Sequence, residues 1–123
     1  MAKTSTQLIE PSSGRILADS LDRPRTFIGR GIGLMFRRSL PAGRGMLIDP
    51  CNGIHMLFMR FAIDAVFLDR RGRVVRAISE LRPWRATRFH LGAVQVVELP
   101  AGSLARSGTR EGDELSFEPR PAV

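Results

Sequence analysis

The lone cysteine of this 123-residue chain lies four residues before one of its two histidines, in the segment CNGIH. A thiol is a useful nucleophile only as a thiolate, and a neighbouring imidazolium lowers its pKa. On a helix this spacing brings two side chains together, whereas on a strand it separates them by about 13 Å. The turn DPCNG allows contact, so Cys51 and His55 are candidate catalytic residues. The alternative is that Cys51 is a small core residue and His55 a strand-edge residue.

A carboxylate in an apolar run is the second candidate. Asp64 interrupts RFAIDAVF, and strand alternation places it on the same face as Val66 and Leu68. Such a carboxylate needs a partner, and Arg60 precedes it by four residues on that face. Two roles fit Asp64: an ion pair with Arg60, or a catalytic role in orienting His55.

The segment ELRPWRATRFH carries the sole tryptophan between two arginines, in a predicted loop. Trp84 with Arg82 and Arg85 has the composition of a surface that stacks a base or holds an anion. The alternative is that the indole covers one end of a barrel while the arginines stay in water. The sequence alone leaves both open.

Metal and cofactor sites lack their usual signatures. Structural zinc sites take four ligands with paired spacings, and this chain offers Cys51, His55, His90 and scattered carboxylates. The segment GRGIG has its glycines at the wrong spacing for a dinucleotide fingerprint, and there is no GxxxxGK, GxSxG or HExxH. We therefore predict no metal and no cofactor.

Composition is that of a globular protein with an excess of positive charge. The chain is 43% hydrophobic and 25% charged, and its formal net charge is +7. Six arginines and no acid occur between Arg23 and Ile48, and seven arginines against Glu80 alone between Arg70 and Arg88. This pattern is typical of a surface that attracts anions or nucleic acid, although arginine-rich usage from GC-rich coding sequence also produces it.

Short strand-like segments dominate the chain and predict a mainly β fold, a small antiparallel sandwich or barrel with one or two short helices. The clearest signal is a hairpin over residues 62–79 that turns at DRRG. Other strands are predicted at 15–21, 43–50, 54–61, 93–100 and near the C-terminus. A short helix capped by Thr26 and a second one capped by Ser103 and ended by Gly108 complete the prediction.

The predicted organisation is a flexible segment over residues 1–13, one β domain over 14–118, and a C-terminal tail over 119–123. No apolar stretch approaches the roughly 20 residues of a membrane span, and the N-terminus lacks the apolar region of a signal peptide. A single cysteine suits a reducing compartment. We expect a cytoplasmic monomer without membrane contact.

Several segments together resemble one known family. GLMFRRSL, GRGMLIDPCNGIH, MRFAIDAVFLDRRGRVV, LRPWR, VQVVELPAG and REGDEL occur in the order seen in the domain of unknown function 192 family, over residues 14–118. The resemblance implies a compact, mainly β domain of bacteria and archaea with no established biochemical activity. Two positions depart from the pattern: Ala62 where proline is common, and Met56 where threonine is common.

Three functional hypotheses follow. The first is a non-catalytic binding domain for an anionic or peptide-like small molecule or a protein partner, with His55, Arg60, Trp84 and Arg85 at its mouth. The second is a thiol-dependent enzyme or redox protein that uses Cys51 as nucleophile and His55 as base, with Asp49 or Asp64 orienting the histidine. The third is nucleic-acid association through the arginine-rich face.

Overall fold

Two β-sheets and two short helices make up the structure, a computed structural model that describes residues 5–120. Of the predicted end segments, residues 1–4 and 121–123 lie outside the described part. The strands are β1 (Thr6–Glu10), β2 (Arg15–Ala18), β3 (Ser20–Asp22), β4 (Arg44–Ile48), β5 (Ile63–Leu68), β6 (Val74–Leu81), β7 (Gln95–Pro100) and β8 (Ser116–Pro119). The helices are α1 (Phe27–Ile32) and α2 (Ser103–Ser107).

The larger sheet has the strand order β3-β4-β7-β5-β6, and the smaller has the order β2-β1-β8. Every pairing is antiparallel except that of β3 with β4. The predicted mainly β class is therefore confirmed, with two short helices, and the two sheets do not close into a barrel.

Strand β5 lies in the middle of this arrangement and is buried along its whole length. Val66 and Leu68 point into a core shared with residues of β1 and β2, between the two sheets. Ala65 and Phe67 point to the opposite face, where a second core is covered by loops instead of a sheet. A strand covered on both faces is expected to be continuously apolar, which makes its single acid unusual.

The predicted hairpin is confirmed as β5 and β6. Asp69 Oδ1 accepts hydrogen bonds from the N–H groups of Arg71 (2.8 Å) and Arg73 (2.9 Å). Gly72 has φ +83°, the left-handed conformation that glycine adopts most easily, and a Cβ there would collide with the carbonyl of Leu115. Asp69 and Gly72 of the DRRG segment therefore determine the conformation of the turn between β5 and β6.

The helices begin and end close to the predicted residues. Thr26 is the N-cap of α1, and its hydroxyl accepts a hydrogen bond from the N–H of Gly29 at 2.8 Å. Gly108 ends α2 at φ +69°, as predicted. The predicted cap of α2 was wrong by one position: Gly102 is the N-cap, and Ser103 is the first helical residue, whose hydroxyl donates to the carbonyl of Pro100.

Three segment predictions differ from the structure. The stretch 15–21 is two strands in different sheets, because the chain crosses over at Asp19, whose N–H donates to Gly43. Residues 6–10, predicted to lie in a loose segment, form β1 between β2 and β8. Residues 54–61 form a loop of turns, not a strand, with Phe58 at φ +59°.

Asp64 is fully buried but has no ion pair with Arg60, which is exposed. Its two carboxylate oxygens accept hydrogen bonds from the backbone N–H groups of Glu80 (2.9 Å) and Leu104 (2.8 Å). The expected arginine partner was wrong because backbone donors of β6 and α2 reach the carboxylate first. Asp64 thereby joins the first turn of α2 to the edge of the sheet.

Replacing Asp64 tests this role. Asp64→Ala leaves one buried and one partly buried N–H group without an acceptor, so we expect it to lower the free energy of unfolding by about 3 kcal/mol. Asp69→Ala is the matched control, because it also removes an acceptor of two N–H bonds, but at a turn that water reaches, and about 1 kcal/mol is expected there. Urea denaturation measures both. Equal losses for the two variants would contradict the structural role of Asp64.

Candidate functional site

A pocket of about 260 Å³ opens on the loop-covered face of the larger sheet. Its walls are mainly apolar, and its polar groups are one carboxyl, one thiol, one imidazole and one guanidinium. The lining residues that supply these groups are Glu98, Cys51, His55 and Arg30. The apolar part comes chiefly from Ile32, Leu34, Met35, Ile48, Pro50, Ile54 and Met59.

Glu98 lies on β7 in the middle of the sheet and is only 4% exposed. Its cross-strand neighbours are Met46 on β4 and Ala65 on β5, and both of these residues are buried. Burial raises the pKa of the carboxyl from 4.5 to about 7, and the nearby charge of Arg37 opposes that rise without cancelling it. Arg37 itself forms its ion pair with Asp22, at 3.5 Å.

No side chain or N–H group in residues 5–120 forms a hydrogen bond with the Glu98 carboxyl. A Cβ at Gly33 would approach its Oε1 to 3.6 Å, which places the carboxyl beside the turn that ends α1. Gly33 has φ +51° and ψ −120°, which only glycine adopts without strain. The chain therefore turns at Gly33 and leaves the carboxyl facing the pocket.

Sequence reasoning passed over Glu98, although β7 had been predicted. The available signal was a lone acid in the apolar strand VQVVELP, the same signal that singled out Asp64. Alternation alone places Glu98 on the face of Val96, opposite to Val97 and Leu99.

Cys51 is half-buried in the same pocket, and its thiol donates a hydrogen bond to the carbonyl of Gly53 at 3.1 Å. Burial raises the pKa of the Cys51 thiol, and the negative charge of Glu98 raises it further. The net direction is upward. The environment favours the neutral thiol, which is a poor nucleophile.

His55 lines the pocket but is exposed, and its Nδ1 accepts a hydrogen bond from the N–H of Leu57 at 3.2 Å. Its backbone pairs with Ala86 across the two loops. The structure thus brings Cys51 and His55 to one pocket, without a hydrogen bond between their side chains.

The predicted third member of the catalytic set is on the other side of the sheet. Asp64 points to the core between the sheets together with Val66, whereas Glu98 and Cys51 belong to the opposite face. Asp49, the alternative orienting residue, is paired with Arg23 at 3.2 Å. Neither aspartate has a hydrogen bond with His55.

Within residues 5–120, no three His, Cys, Asp or Glu side chains come close enough to hold a metal ion. His90, the second histidine, packs its ring against Phe67 with the centroids 4.5 Å apart. It is not among the residues that line the pocket.

A second feature is a cluster of exposed aromatic rings beside the pocket. Phe36, Phe58 and Trp84 are 62%, 46% and 60% exposed. The rings of Phe36 and Phe58 lie 5.3 Å apart, and those of Phe58 and Trp84 lie 5.0 Å apart in an edge-to-face arrangement. Trp84 packs against another exposed ring and does not cover the end of a barrel.

All three aromatic residues have a left-handed backbone, with φ +66°, +59° and +67° in chain order. This conformation is rare for bulky residues and costs on the order of 1–3 kcal/mol each. The loops that hold it are tied together, because Phe36 N–H donates to Phe58 O (3.1 Å) and Trp84 N–H donates to Met56 O (2.7 Å). The surrounding structure therefore holds three rings outward at a cost in stability.

Four exposed arginines lie within two residues of these rings in the chain and form no ion pair with a carboxylate of the described residues: Arg38, Arg60, Arg82 and Arg85. The three loops, residues 34–41, 55–62 and 81–91, contain no acid. We call the three rings and these four arginines the aromatic–arginine surface. It contains Arg60, Trp84 and Arg85, the three residues that the sequence analysis assigned to ligand binding.

Comparison with known proteins places the chain in a family. The pattern of the DUF192 family, described as "Uncharacterized ACR, COG1430", matches residues 9–117. The chain belongs to the DUF192 family.

Relatives of this DUF192 chain occur in archaea. A UPF0127 protein of Thermococcus sibiricus is 30% identical over 115 residues, which cover 90% of this chain and 74% of the relative. A UPF0127 protein of Pyrococcus furiosus is 35% identical over 96 residues, which cover 74% of this chain and 80% of the relative.

Two solved structures share the fold of the DUF192 chain. One is a protein of Sinorhizobium meliloti described as a putative transcription regulator, with a TM-score of 0.77, 27% identity and 94% of both chains covered. The other is a protein of unknown function from Novosphingobium aromaticivorans, with a TM-score of 0.75, 24% identity, and 91% of this chain and 83% of that one covered. Among residues 5–120 of this chain, no helix is long and apolar enough to cross a membrane.

The state of the thiol predicts how Cys51 reacts. Because burial and Glu98 both raise its pKa, we expect slow alkylation by iodoacetamide at pH 7. His55→Ala is expected to change the rate by less than about twofold, since His55 forms no hydrogen bond with the thiol. A rate profile measured from pH 6 to 10 checks both points. Fast alkylation near neutral pH that depends on His55 would contradict this geometry.

Glu98 predicts a pH-dependent stability. In the unfolded chain its carboxyl ionises near 4.5, and in the folded chain near 7, so unfolding releases a proton between these values and stability falls as pH rises through this window. Glu98→Gln removes this loss. We expect it to raise the free energy of unfolding at pH 8 by up to about 3 kcal/mol relative to its effect at pH 4.

Urea denaturation at the two pH values measures this difference. Glu114→Gln is the control, because Glu114 is an exposed residue whose ion pair with Arg73 is a 3.8 Å surface contact. A Glu98→Gln effect that is the same at both pH values would contradict the raised pKa.

Proposed function

We propose that this DUF192 domain is a non-catalytic binding domain that holds single-stranded nucleic acid on its aromatic–arginine surface. The observation that carries the proposal is the contact between three exposed rings in loops that also present four arginines, none of which pairs with a carboxylate of residues 5–120.

The two kinds of side chain match the two parts of a nucleotide. Exposed rings offer faces on which unpaired bases stack, and each stacked base is worth about 1–3 kcal/mol. Guanidinium groups such as those of Arg60 and Arg85 neutralise phosphates and also stack on planar groups. An acidic peptide would use the arginines but would leave the rings unused. A small anion would likewise leave most of this open surface unused.

Single strands fit better than a duplex, because bases in a duplex are already stacked on each other and present only their edges. The left-handed backbone of Phe36, Phe58 and Trp84 supports a role for the rings, since strain of this kind is found where function requires a given orientation. The Sinorhizobium meliloti protein is described as a putative transcription regulator, which is consistent with a nucleic-acid partner.

The thiol-enzyme hypothesis receives less support. The pKa of Cys51 is raised, its thiol donates to Gly53 and not to His55, and Asp64 faces the other core. A binding role needs none of these residues to react.

Titration with an unstructured oligonucleotide tests the proposal. Trp84 is the only tryptophan, so quenching of its fluorescence by dT12 reports stacking directly. We expect quenching in step with the anisotropy of a labelled oligonucleotide, and about tenfold weaker binding of the dA12·dT12 duplex. With four arginines on phosphates, log K should fall against log salt with a slope of about −3. A titration with rU12 compares the binding of RNA with that of DNA on the same surface.

Matched variants distinguish binding at the aromatic–arginine surface from binding through the overall positive charge. Trp84→Ala is expected to weaken dT12 binding by about tenfold. Phe89→Ala is the control, because Phe89 is more exposed, at 78%, but lies outside the contacting rings, and a change of less than about twofold is expected. Arg85→Gln should reduce the slope of log K against log salt by the share of one phosphate contact. Arg110→Gln should leave the slope unchanged, because Arg110 is exposed but lies outside the three loops.

Two results would overturn the proposal. One is binding of neither dT12 nor rU12 at low salt. The other is competition by oligoglutamate of equal charge as effective as that of dT12, with Trp84 unquenched, because charge alone would then account for the binding.

A further inference from the structure

We infer that the pocket around Glu98 is a second binding site, for a small neutral molecule with an apolar body and an amide-type head that places a hydrogen-bond donor beside an acceptor. This site is distinct from the aromatic–arginine surface and does not depend on the proposed nucleic-acid binding. The two features only share the loops that contain Met35, Phe36, His55, Phe58 and Met59.

The first argument is a carboxyl that lines the pocket and has no hydrogen-bond partner among residues 5–120. Buried polar side chains are almost always hydrogen-bonded. Asp64, the other buried carboxylate of the central strands, follows this rule with two N–H donors. Glu98 is 4% exposed and lines the pocket, yet no described donor reaches it. A group held in this way has its hydrogen-bonding capacity free for a molecule in the pocket.

The second argument is the shape and lining of the cavity. A volume of about 260 Å³ holds a small organic molecule, and pockets of this kind use a few polar groups to orient an apolar ligand. Ile48, Leu34 and Met59 are buried and line the pocket together with Glu98. The exposed lining residues Ile32 and His55 mark the mouth. The head group would therefore be deep in the pocket, and the apolar body would lie between it and the mouth.

The charge state of the head group follows from the surroundings of Glu98. On the same face, its cross-strand neighbours Met46 and Ala65 are uncharged. The titratable or charged groups that approach it are Arg37, Arg30, Cys51 and His55. Of these, Arg37 is already paired with Asp22, and none forms an ion pair with Glu98. The neutral carboxylic acid is therefore the form that this environment stabilises.

A protonated carboxyl presents one O–H donor beside one carbonyl acceptor. A primary amide has the complementary pair, N–H and C=O, so the two planar groups form two hydrogen bonds at once. An ammonium ligand would require ionised Glu98 and the desolvation of two charges. A carboxylate ligand would use the O–H donor but would bring its own charge into an apolar pocket.

Three probes with one apolar body test the head-group assignment: 3-methylbutanamide, 3-methylbutanoate and 3-methylbutylamine. Binding is followed by the chemical shifts of the backbone amide signals of Gly33 and Gly53, which line the pocket. We expect the amide to bind most tightly at pH 6, with the largest shifts at these two signals. Its affinity should fall about tenfold between pH 6 and pH 8, because ionisation near pH 7 removes the O–H donor.

Glu98→Gln is the decisive variant, since glutamine keeps a donor beside an acceptor but does not ionise. We expect this variant to bind 3-methylbutanamide at pH 8 within about threefold of its own affinity at pH 6. Glu114→Gln, at an exposed position away from the pocket, should keep the tenfold pH dependence of the wild type.

Several outcomes would overturn the inference. One is tighter binding of the amine, with affinity that increases with pH. Another is preference for 3-methylbutanoate over the amide. The inference also fails if none of the probes shifts the signals of Gly33 and Gly53, or if the pH dependence persists in Glu98→Gln. None of these outcomes bears on binding of dT12 to the aromatic–arginine surface, so the two proposals fail independently.

Discussion

Burial of the central strands β5 and β7 on both faces is the constraint on which the rest of the structure depends. In the antiparallel pair, Asp64 lies opposite Leu99 and Ala65 lies opposite Glu98, so the two acids point to opposite sides of one sheet. Each acid is removed from water by a different core. Because strand alternation has a period of two, a shift of either strand by one residue would move its acid into the opposite core.

The two buried acids differ in their hydrogen-bond partners, and this difference gives Asp64 a structural role and makes Glu98 a candidate binding group. Asp64 finds backbone donors in β6 and α2 and holds those elements in place. Glu98 finds no donor in the loops above it, and burial raises the pKa of its carboxyl to about 7. The loops around the pocket above Glu98 also turn Phe36 and Phe58 outward on a left-handed backbone. Loops therefore carry the aromatic–arginine surface and cover the pocket, whose carboxyl belongs to strand β7.

Local patterns predicted the fold better than the site. The hairpin turn at Asp69 and the cap at Thr26 follow from local chemistry and were predicted correctly. The loop over residues 54–61 was taken for a strand, because its apolar residues are divided between the second core and an exposed aromatic cluster, which a linear pattern does not reveal. A lone acid in an apolar strand marks both Asp64 and Glu98 in the sequence. The pairing of Asp64 with α2 and the pocket at Glu98 depend on contacts between residues far apart in the chain, which local spacing does not reveal.

The ¹³C chemical shift of the Glu98 carboxyl carbon reports directly whether a neutral acid lies at the centre of the larger sheet. A pH titration of the side-chain carboxyl ¹³C shifts, with Glu98 assigned by its loss in Glu98→Gln, measures the pKa in the folded protein. The account predicts a midpoint near pH 7, separated from the other glutamates. A midpoint between 4 and 5, together with those of exposed glutamates, would show that the carboxyl is hydrated or paired, and would contradict both the buried neutral acid and the pocket built on it.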